Sequence, residues 1–213
     1  MDAYHLYGYI AAYSTLIPII AGILVYRKAA LRYRFFLFYV MFAFAIDFIK
    51  PFIPSEEIGK WMYWLFSIVE VLFISWFLKE VTEQRLLKKV LQLAIPFFLC
   101  FWILCYFILL RPDQKYSPLF DTVSAVLLSF LSAIVLLQLT QQGTDLIRRP
   151  GFWFVGSIFF SFFCASFLFG FMNTDVLKRI WYLYRTITIM NHAMFTVGFL
   201  LLGKGNVRSK AVA

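Results

Sequence analysis

Seven apolar segments, each long enough to cross a lipid bilayer, occupy most of the 213 residues of this chain. A membrane-spanning helix needs about 20 consecutive, mostly apolar residues. Composition agrees, because only 15% of the residues are charged, against about 25% in ordinary soluble domains. The pattern predicts an all-α integral membrane protein with helices near residues 8–26, 35–53, 61–78, 90–110, 119–138, 152–172 and 182–202.

The segments that connect these helices are short, which indicates that helices adjacent in sequence are neighbours in space. We therefore predict one antiparallel bundle of seven transmembrane helices, forming a single domain over residues 1–213. The first apolar segment follows no positively charged stretch and has no small-residue cleavage site after it. It is expected to remain in the protein as a helix.

Lysine and arginine are unequally divided between the two sides of the predicted bundle, with 13 on one side and seven on the other. The side richer in these residues normally faces the cytoplasm. This predicts an outside N-terminus, a cytoplasmic C-terminus and a multi-pass location in a bacterial inner membrane. The net charge of +9 follows from the same bias, so it points to anionic lipid headgroups and not to nucleic acid.

Ionisable side chains lie inside several predicted helices, where Asp, Lys or Arg costs about 2.5–3.5 kcal/mol near the bilayer centre. Asp47 and Lys50 lie in the second segment, Glu70 in the third, and Asn191 with His192 in the seventh. A rise of about 1.5 Å per residue places Asp47, Glu70 and His192 roughly 10–15 Å below the outer boundary. This shared depth predicts a polar site in the outer half of the bundle.

Helical spacing extends the polar site along two segments. Arg185, Thr188 and His192 recur at intervals of three and four residues, and Ser67 precedes Glu70 by three. If both faces turn inward, they form a polar funnel that opens outside and is closed below by phenylalanine-rich packing. The predicted ligand or ion pocket comprises Asp47, Lys50, Ser67, Glu70, Arg185, Thr188, Asn191 and His192.

The same side chains also have a purely structural interpretation. Asp47 with Lys50, and Glu70 with His192 or Arg185, would then be buried pairs that set the register of the helices. Polar contacts between membrane helices often contribute only about 0.6 kcal/mol. Both interpretations stay open on the sequence, although intramembrane ionisable residues are functional more often than not.

Catalytic and metal chemistry find little support in the residue types present. The chain has two histidines and no metal-ligand spacing, whereas a catalytic zinc site needs about three protein ligands. The seventh segment has no lysine that could hold retinal, and the three cysteines lie inside predicted helices. We therefore predict no catalytic residues, no metal site and no cofactor.

Three short stretches carry a resemblance to a known group of proteins. They are Arg-Arg-Pro-Gly-Phe-Trp-Phe-Val-Gly-Ser at 148–157, Phe-Ser-Ile-Val-Glu-Val-Leu-Phe at 66–73 and Asn-His-Ala-Met at 191–194. They resemble stretches of small, uncharacterised bacterial seven-helix membrane proteins, some of which are associated with sensor-kinase signalling. The resemblance implies a seven-helix architecture over the whole chain and transfers no catalytic assignment.

The leading functional hypothesis is a non-enzymatic membrane protein that binds a small molecule, lipid or ion in an outward-facing pocket. As a sensor or signalling accessory subunit it would need a membrane-protein partner, because the segments between its helices are too short to form a signalling domain. The alternatives are a transporter of ions, protons or small solutes, a lipid-modifying membrane enzyme, and a structural assembly subunit. A transporter would need polar residues in the cytoplasmic half, where several segments are almost wholly apolar.

Overall fold

The computed structural model describes residues 3–49, 52–109, 118–141, 145–170 and 175–210, and it forms no β-strand within these ranges. Their secondary structure consists of α-helices and short helical turns. In chain order the α-helices are α1 (Ala3–Tyr13), α2 (Leu16–Val25), α3 (Leu31–Ile49), α4 (Glu56–Val81), α5 (Arg85–Ile103), α6 (Pro118–Gln141), α7 (Pro150–Gly170) and α8 (Asp175–Lys210). The prediction of an all-α chain is confirmed.

Six helical segments are long and apolar enough to cross a membrane. They correspond to the first and to the third to seventh predicted spans: Tyr7–Lys28, Glu56–Val81, Arg85–Leu109, Leu119–Gln141, Pro150–Phe169 and Tyr182–Lys204. The chain therefore has the helix composition of a membrane protein.

The second predicted span corresponds to α3, which is not among these six segments. Arg32, Arg34 and Asp47 all lie within the 19 residues of this helix, so its charge is high for a helix surrounded by lipid. Six of the seven predicted spans are thus supported by length and composition.

The first candidate span is interrupted at Ser14–Thr15, between α1 and α2. Pro18 lacks the backbone N–H that would otherwise bond to the carbonyl oxygen of Ser14. That oxygen instead accepts a hydrogen bond from the backbone N–H of Ile17 at 3.2 Å. A proline inside an apolar helix predicts a bend, because it lacks the backbone donor, and the interruption lies one turn before Pro18.

The start of α4 is marked by a hydrogen-bonding side chain. The hydroxyl of Ser55 accepts a bond from the backbone N–H of Ile58 at 3.4 Å, and Glu56 and Glu57 occupy the first turn. Negative charge near a helix N-terminus interacts favourably with the unpaired N–H groups and the helix dipole. These residues define the N-terminus of α4, the helix that positions Glu70 within the bundle.

The helices pack around a common centre. Helix α8 contacts α2 and α7, α7 contacts α6, and α4 contacts α5 and α6. Helix α3 lies against α2 and α4. As a result, side chains of α3, α4, α7 and α8 approach one another in the middle of the bundle.

A group of buried phenylalanines, here called the Phe cluster, joins these four helices. The ring centroid of Phe36 lies 4.7 Å from that of Phe77, 4.8 Å from that of Phe154 and 4.9 Å from that of Phe195. Phe199 completes the cluster against Phe154, with its ring centroid at 4.9 Å. The Phe36–Phe77 pair is tilted and the other three pairs are edge-to-face, and edge-to-face aromatic contacts stabilise packing beyond the burial of apolar area.

Candidate functional site

A cavity with a volume of about 290 Å³ lies between α3, α4, α7 and α8, next to the interruption in the first span. We call it the central cavity. Apolar side chains form much of its wall, and the polar side chains in the wall come from all four helices and from Thr15. The polar lining residues are Thr15, Tyr39, Asp47, Tyr63, Glu70, Ser161, Tyr184, Thr188, Asn191 and His192.

The central cavity brings together five of the eight residues in the predicted pocket. They are Asp47 from α3, Glu70 from α4, and Thr188, Asn191 and His192 from α8. The backbone hydrogen bonds of each helix place these side chains at fixed positions, so their convergence depends on how three helices are rotated. The expected inward rotation of the polar faces thus holds for these five side chains.

The remaining three residues of the predicted pocket behave differently. Lys50 lies outside the described residues. Ser67 is buried away from the cavity, where its hydroxyl donates to the backbone carbonyl of Trp64 at 2.9 Å. Arg185 directs its guanidinium toward α1, because a methyl group built on Gly8 would lie 4.0 Å from Nη2.

The reason for the position of Ser67 is the rotation of α4. Residues Tyr63, Phe66, Glu70 and Ile74, at intervals of three and four, line the cavity. Ser67 is one residue further than Phe66, which corresponds to about 100° around the helix. It therefore faces α5, whose Trp102 indole N–H donates to the same Trp64 carbonyl at 3.0 Å.

Glu70 receives a hydrogen bond from a tyrosine on the neighbouring helix. The Tyr39 hydroxyl donates to Oε1 of Glu70 at 2.6 Å. The Tyr39 ring stacks on that of Phe73, with a centroid distance of 4.7 Å and an angle of 10° between the planes. This stacking holds the phenol against the carboxyl group, so Glu70 is bonded to Tyr39 rather than to His192 or Arg185 as the structural interpretation expected.

His192 contacts the two hydroxyl residues at the interruption of the first span. Its Nδ1 lies 2.7 Å from the Ser14 hydroxyl and its Nε2 lies 3.3 Å from the Thr15 hydroxyl. A neutral imidazole has one donor and one acceptor nitrogen, and a hydroxyl can fill either role. Both hydroxyls also lie within donating distance of backbone carbonyl oxygens, Ser14 of Ala11 at 2.6 Å and Thr15 of Ala12 at 2.8 Å. An uncharged ring satisfies both contacts only if one hydroxyl donates to the ring and not to the backbone. The two contacts connect α8 to the first span.

Asn191 combines a place in the cavity wall with a role in helix packing. The Ser157 hydroxyl of α7 donates to the backbone carbonyl of Asn191 at 3.2 Å and contacts its side-chain oxygen. Ser157 itself is completely buried. Because small polar residues let membrane helices approach closely, this pair fixes α7 against α8 on one side of the cavity.

Tyr63 links the cavity wall to α6. Its ring lines the cavity, and its hydroxyl donates to Oδ2 of Asp121 at 2.9 Å. Asp121 is buried in the first turn of α6. A second carboxylate is thus held by a tyrosine close to the central cavity, although Asp121 does not form part of its wall.

Sequence reasoning missed Tyr39 and Thr15 of the cavity wall, and Ser14 beside it, although each has a recognisable signal. Tyr39, Ala43 and Asp47 follow one another at intervals of four along α3, a spacing that puts Tyr39 on the same helix face as Asp47. Ser14 and Thr15 lie four and three residues before Pro18, where a proline releases backbone bonds. Tyr184 lies four residues before Thr188, so helical spacing already places it on the polar face of the last segment. Ser161 carries no signal beyond its side-chain chemistry.

The donor set of the cavity does not match a metal centre. Within the described residues, no three His, Cys, Asp or Glu side chains are grouped closely enough to hold a metal ion. The arrangement instead offers two carboxyl groups, one imidazole, several hydroxyls and an amide inside a largely apolar wall. Such a composition is typical of cavities that orient a small ligand with a few polar contacts.

Comparisons with family models, with curated protein sequences and with solved structures found no match to this chain.

Proposed function

We propose that this protein is a non-enzymatic membrane protein that binds a small molecule, lipid or ion in the central cavity. The observation that carries the proposal is the convergence of Asp47, Glu70, Thr188, Asn191 and His192 on one cavity from three different helices. Burying a carboxyl group inside a membrane protein costs free energy. The presence of several ionisable and polar side chains around one cavity therefore favours a ligand site over isolated packing pairs.

The proposal includes seven crossings, with α3 as the second, an outside N-terminus and a bacterial inner membrane location. One feature supports the antiparallel arrangement. The Phe cluster lies toward the N-terminal end of α3 and α7 relative to their cavity residues, and toward the C-terminal end of α4 and α8. The lysine and arginine bias then puts the cavity in the outer half of the bundle.

A sensor role would follow from the same cavity. The stretches between the described helices are short, so a signal would have to pass to a second membrane protein through the helices themselves. The resemblance to seven-helix proteins associated with sensor-kinase signalling supports this version. The sensor role remains part of the proposal, and no residue is assigned to it.

The outward opening can be tested with cysteine labelling in intact cells. Cys100, Cys105 and Cys164 are first replaced by alanine, and Thr188→Cys is then introduced in the cavity wall. We expect a charged, membrane-impermeant thiol reagent to modify this variant, because in our proposal the cavity opens to the aqueous phase outside the cell.

The matched control for this experiment is Met190→Cys on the same helix. The Met190 side chain is 48% exposed on the outer surface of the bundle, which faces lipid in our proposal, so it should resist the same reagent. Equal labelling of both variants, or labelling of neither, would contradict an outward-open polar cavity.

A transporter is the second candidate function, and one observation favours it. Helices interrupted beside a cavity are common in secondary transporters, where the free helix ends contact the substrate. The interruption at Ser14–Thr15 lies next to His192 and the cavity. Against this stands the Phe cluster, which closes the other end, so a flux assay in liposomes should detect no Glu70-dependent transport if the binding role is correct.

A further inference from the structure

We propose that the ligand of the central cavity is a small organic cation, namely an ammonium or amidinium group attached to a compact apolar or aromatic body. This inference rests on the proposed binding function and adds the chemical class of the ligand. It depends on three observations: the charge of the cavity wall, the aromatic rings in that wall and the volume of the cavity.

The charged side chains of the cavity wall favour a cation. Among the described residues that line it, Asp47 and Glu70 are acidic and none is a lysine or an arginine. Arg185, the nearest arginine on α8, extends toward Gly8 and its guanidinium lies 5.9 Å from the centroid of the Tyr184 ring. An anionic ligand would meet two carboxyl groups and no lysine or arginine among the described lining residues, which disfavours its binding by like-charge repulsion.

The two acidic residues differ in exposure. Asp47 is exposed and Glu70 is half-buried, so Asp47 is the more accessible of the two to an approaching cation. Tyr39 already donates to Oε1 of Glu70, and we assign Oε2 to the ligand. A hydrogen-bonded cation at this oxygen would offset the cost of holding a carboxylate in a low-dielectric interior.

Aromatic rings surround the same space. Rings from all four helices line the cavity: Tyr39, Tyr63, Phe66, Phe162, Tyr184 and Phe195. The face of an aromatic ring attracts a cation within about 6 Å of its centroid, and this attraction strengthens when water is excluded. The same rings would pack against the apolar body of the ligand, so one wall serves both parts of an aromatic amine.

The volume limits the size of the ligand. At about 290 Å³, the cavity lies at the lower end of the roughly 300–1,000 Å³ range of small-molecule sites. A diacyl lipid is too large to enter as a whole. A monoamine with one ring fits this limit. A bare metal ion would need grouped ligands, and the part of the chain that the structure describes holds no such group.

Three probes of nearly equal size and different charge test the inference: benzylamine, benzyl alcohol and benzoate. Binding is measured by isothermal titration calorimetry on the full chain in nanodiscs, with empty nanodiscs as the reference. We expect benzylamine to bind at least about tenfold more tightly than benzyl alcohol, and benzoate to bind not at all. Glu70→Gln should weaken benzylamine binding by roughly tenfold or more, because it removes the charged partner.

Ser67→Ala is the matched control, since it removes a polar group from the same helix outside the cavity, and it should leave the preference for the amine unchanged. If Glu70→Gln does not fold, Asp47→Asn at the exposed position provides a second variant, expected to weaken binding of the amine and not of the alcohol. The inference is overturned if benzyl alcohol or benzoate binds as tightly as benzylamine, if the amine does not bind, or if the preference survives in the acidic-residue variant.

Failure of this inference can be separated from failure of the proposed function by protection of Thr188→Cys. If benzyl alcohol or benzoate protects Thr188→Cys from the thiol reagent and benzylamine does not, the cavity is a binding site but its ligand is not a cation. If no aqueous reagent modifies Thr188→Cys, the cavity is not open to the outside and both proposals are wrong.

Discussion

Individual side chains in this protein satisfy polar groups inside an apolar bundle with hydroxyl partners. Glu70 is bonded to the phenol of Tyr39, Asp121 to that of Tyr63, and His192 to Ser14 and Thr15. Hydroxyl partners carry no charge that itself needs compensation. They stabilise these groups while leaving Glu70 able to interact with a charged ligand.

The bond between Tyr39 and Glu70 gives a stability prediction at this scale. Tyr39→Phe removes the hydroxyl and keeps the ring on Phe73, so Glu70 loses a hydrogen bond to a half-buried carboxyl group. We expect the free energy of unfolding to fall by about 1–3 kcal/mol, measured by denaturant titration in mixed micelles.

Tyr182→Phe is the control for this change, because the Tyr182 side chain is 53% exposed and its hydroxyl can contact the solvent or headgroups. It should alter stability by less than about 0.5 kcal/mol. Equal stability of Tyr39→Phe and the wild type would mean that the bond contributes nothing to the folded state.

At the scale of the helices, close contact between α7 and α8 positions one wall of the cavity. Ser157 bonds to Asn191 near the cavity, and further along the same pair Gly198 lies against the ring of Phe154. Phe154 is itself held by Phe36, Phe195 and Phe199. The ring therefore has little room to move away from an added atom.

Gly198→Ala should for this reason destabilise the bundle. The added methyl group would lie 2.8 Å from Cε2 of Phe154, a clash that an aromatic ring packed on several sides cannot relieve without moving α8. We expect a loss of about 1–3 kcal/mol, as found for overpacked cores, measured as a decrease in Tm of the purified protein.

Gly59→Ala is the matched substitution in α4, since a methyl group there meets no atom within 4 Å. It should be neutral or slightly stabilising, because alanine favours a helix over glycine by up to about 1 kcal/mol. If the two variants have the same Tm, the contact between α7 and α8 is looser than described.

For the whole molecule, the question with the largest consequence is whether α3 crosses the membrane. Every stretch of 18 residues within α3 contains three charged side chains, whereas each of the six candidate spans has such a stretch with at most two. Helix α3 packs against α2 and α4, and Asp47 and Tyr39 line the central cavity. Apolar side chains of the same helix, such as Phe35 and Phe38, are exposed. A helix with a polar inner face and an apolar outer face can cross a bilayer despite its charged side chains.

Two cysteines on either side of α3 decide the matter. In the cysteine-free background, Ala30→Cys precedes the helix and Glu57→Cys follows it, and both positions are exposed. Seven crossings require that an impermeant reagent added to intact cells labels Glu57→Cys and reaches Ala30→Cys only after permeabilisation. Labelling of both positions from the same side would mean that α3 does not cross the membrane, so that the chain has an even number of crossings, six.

The amino-acid sequence by itself determined the class of this protein, because the length of each apolar segment is a local property that needs no knowledge of its neighbours. It also identified Asp47, Glu70, Asn191 and His192, since an ionisable or amide side chain in an apolar helix stands out wherever the helix lies. Helical spacing from His192 added Thr188. The predicted bend at Pro18 has the same local origin in a missing backbone donor.

Only the tertiary structure decided which of these side chains meet. A rotation of about 100° separates Ser67, which faces α5, from Phe66, which lines the cavity. The choice of Tyr39 as the partner of Glu70, and of Ser14 and Thr15 as partners of His192, depends on contacts between residues far apart in sequence. Helical periodicity defines a face but not its neighbour, so the composition of the site follows from packing between helices.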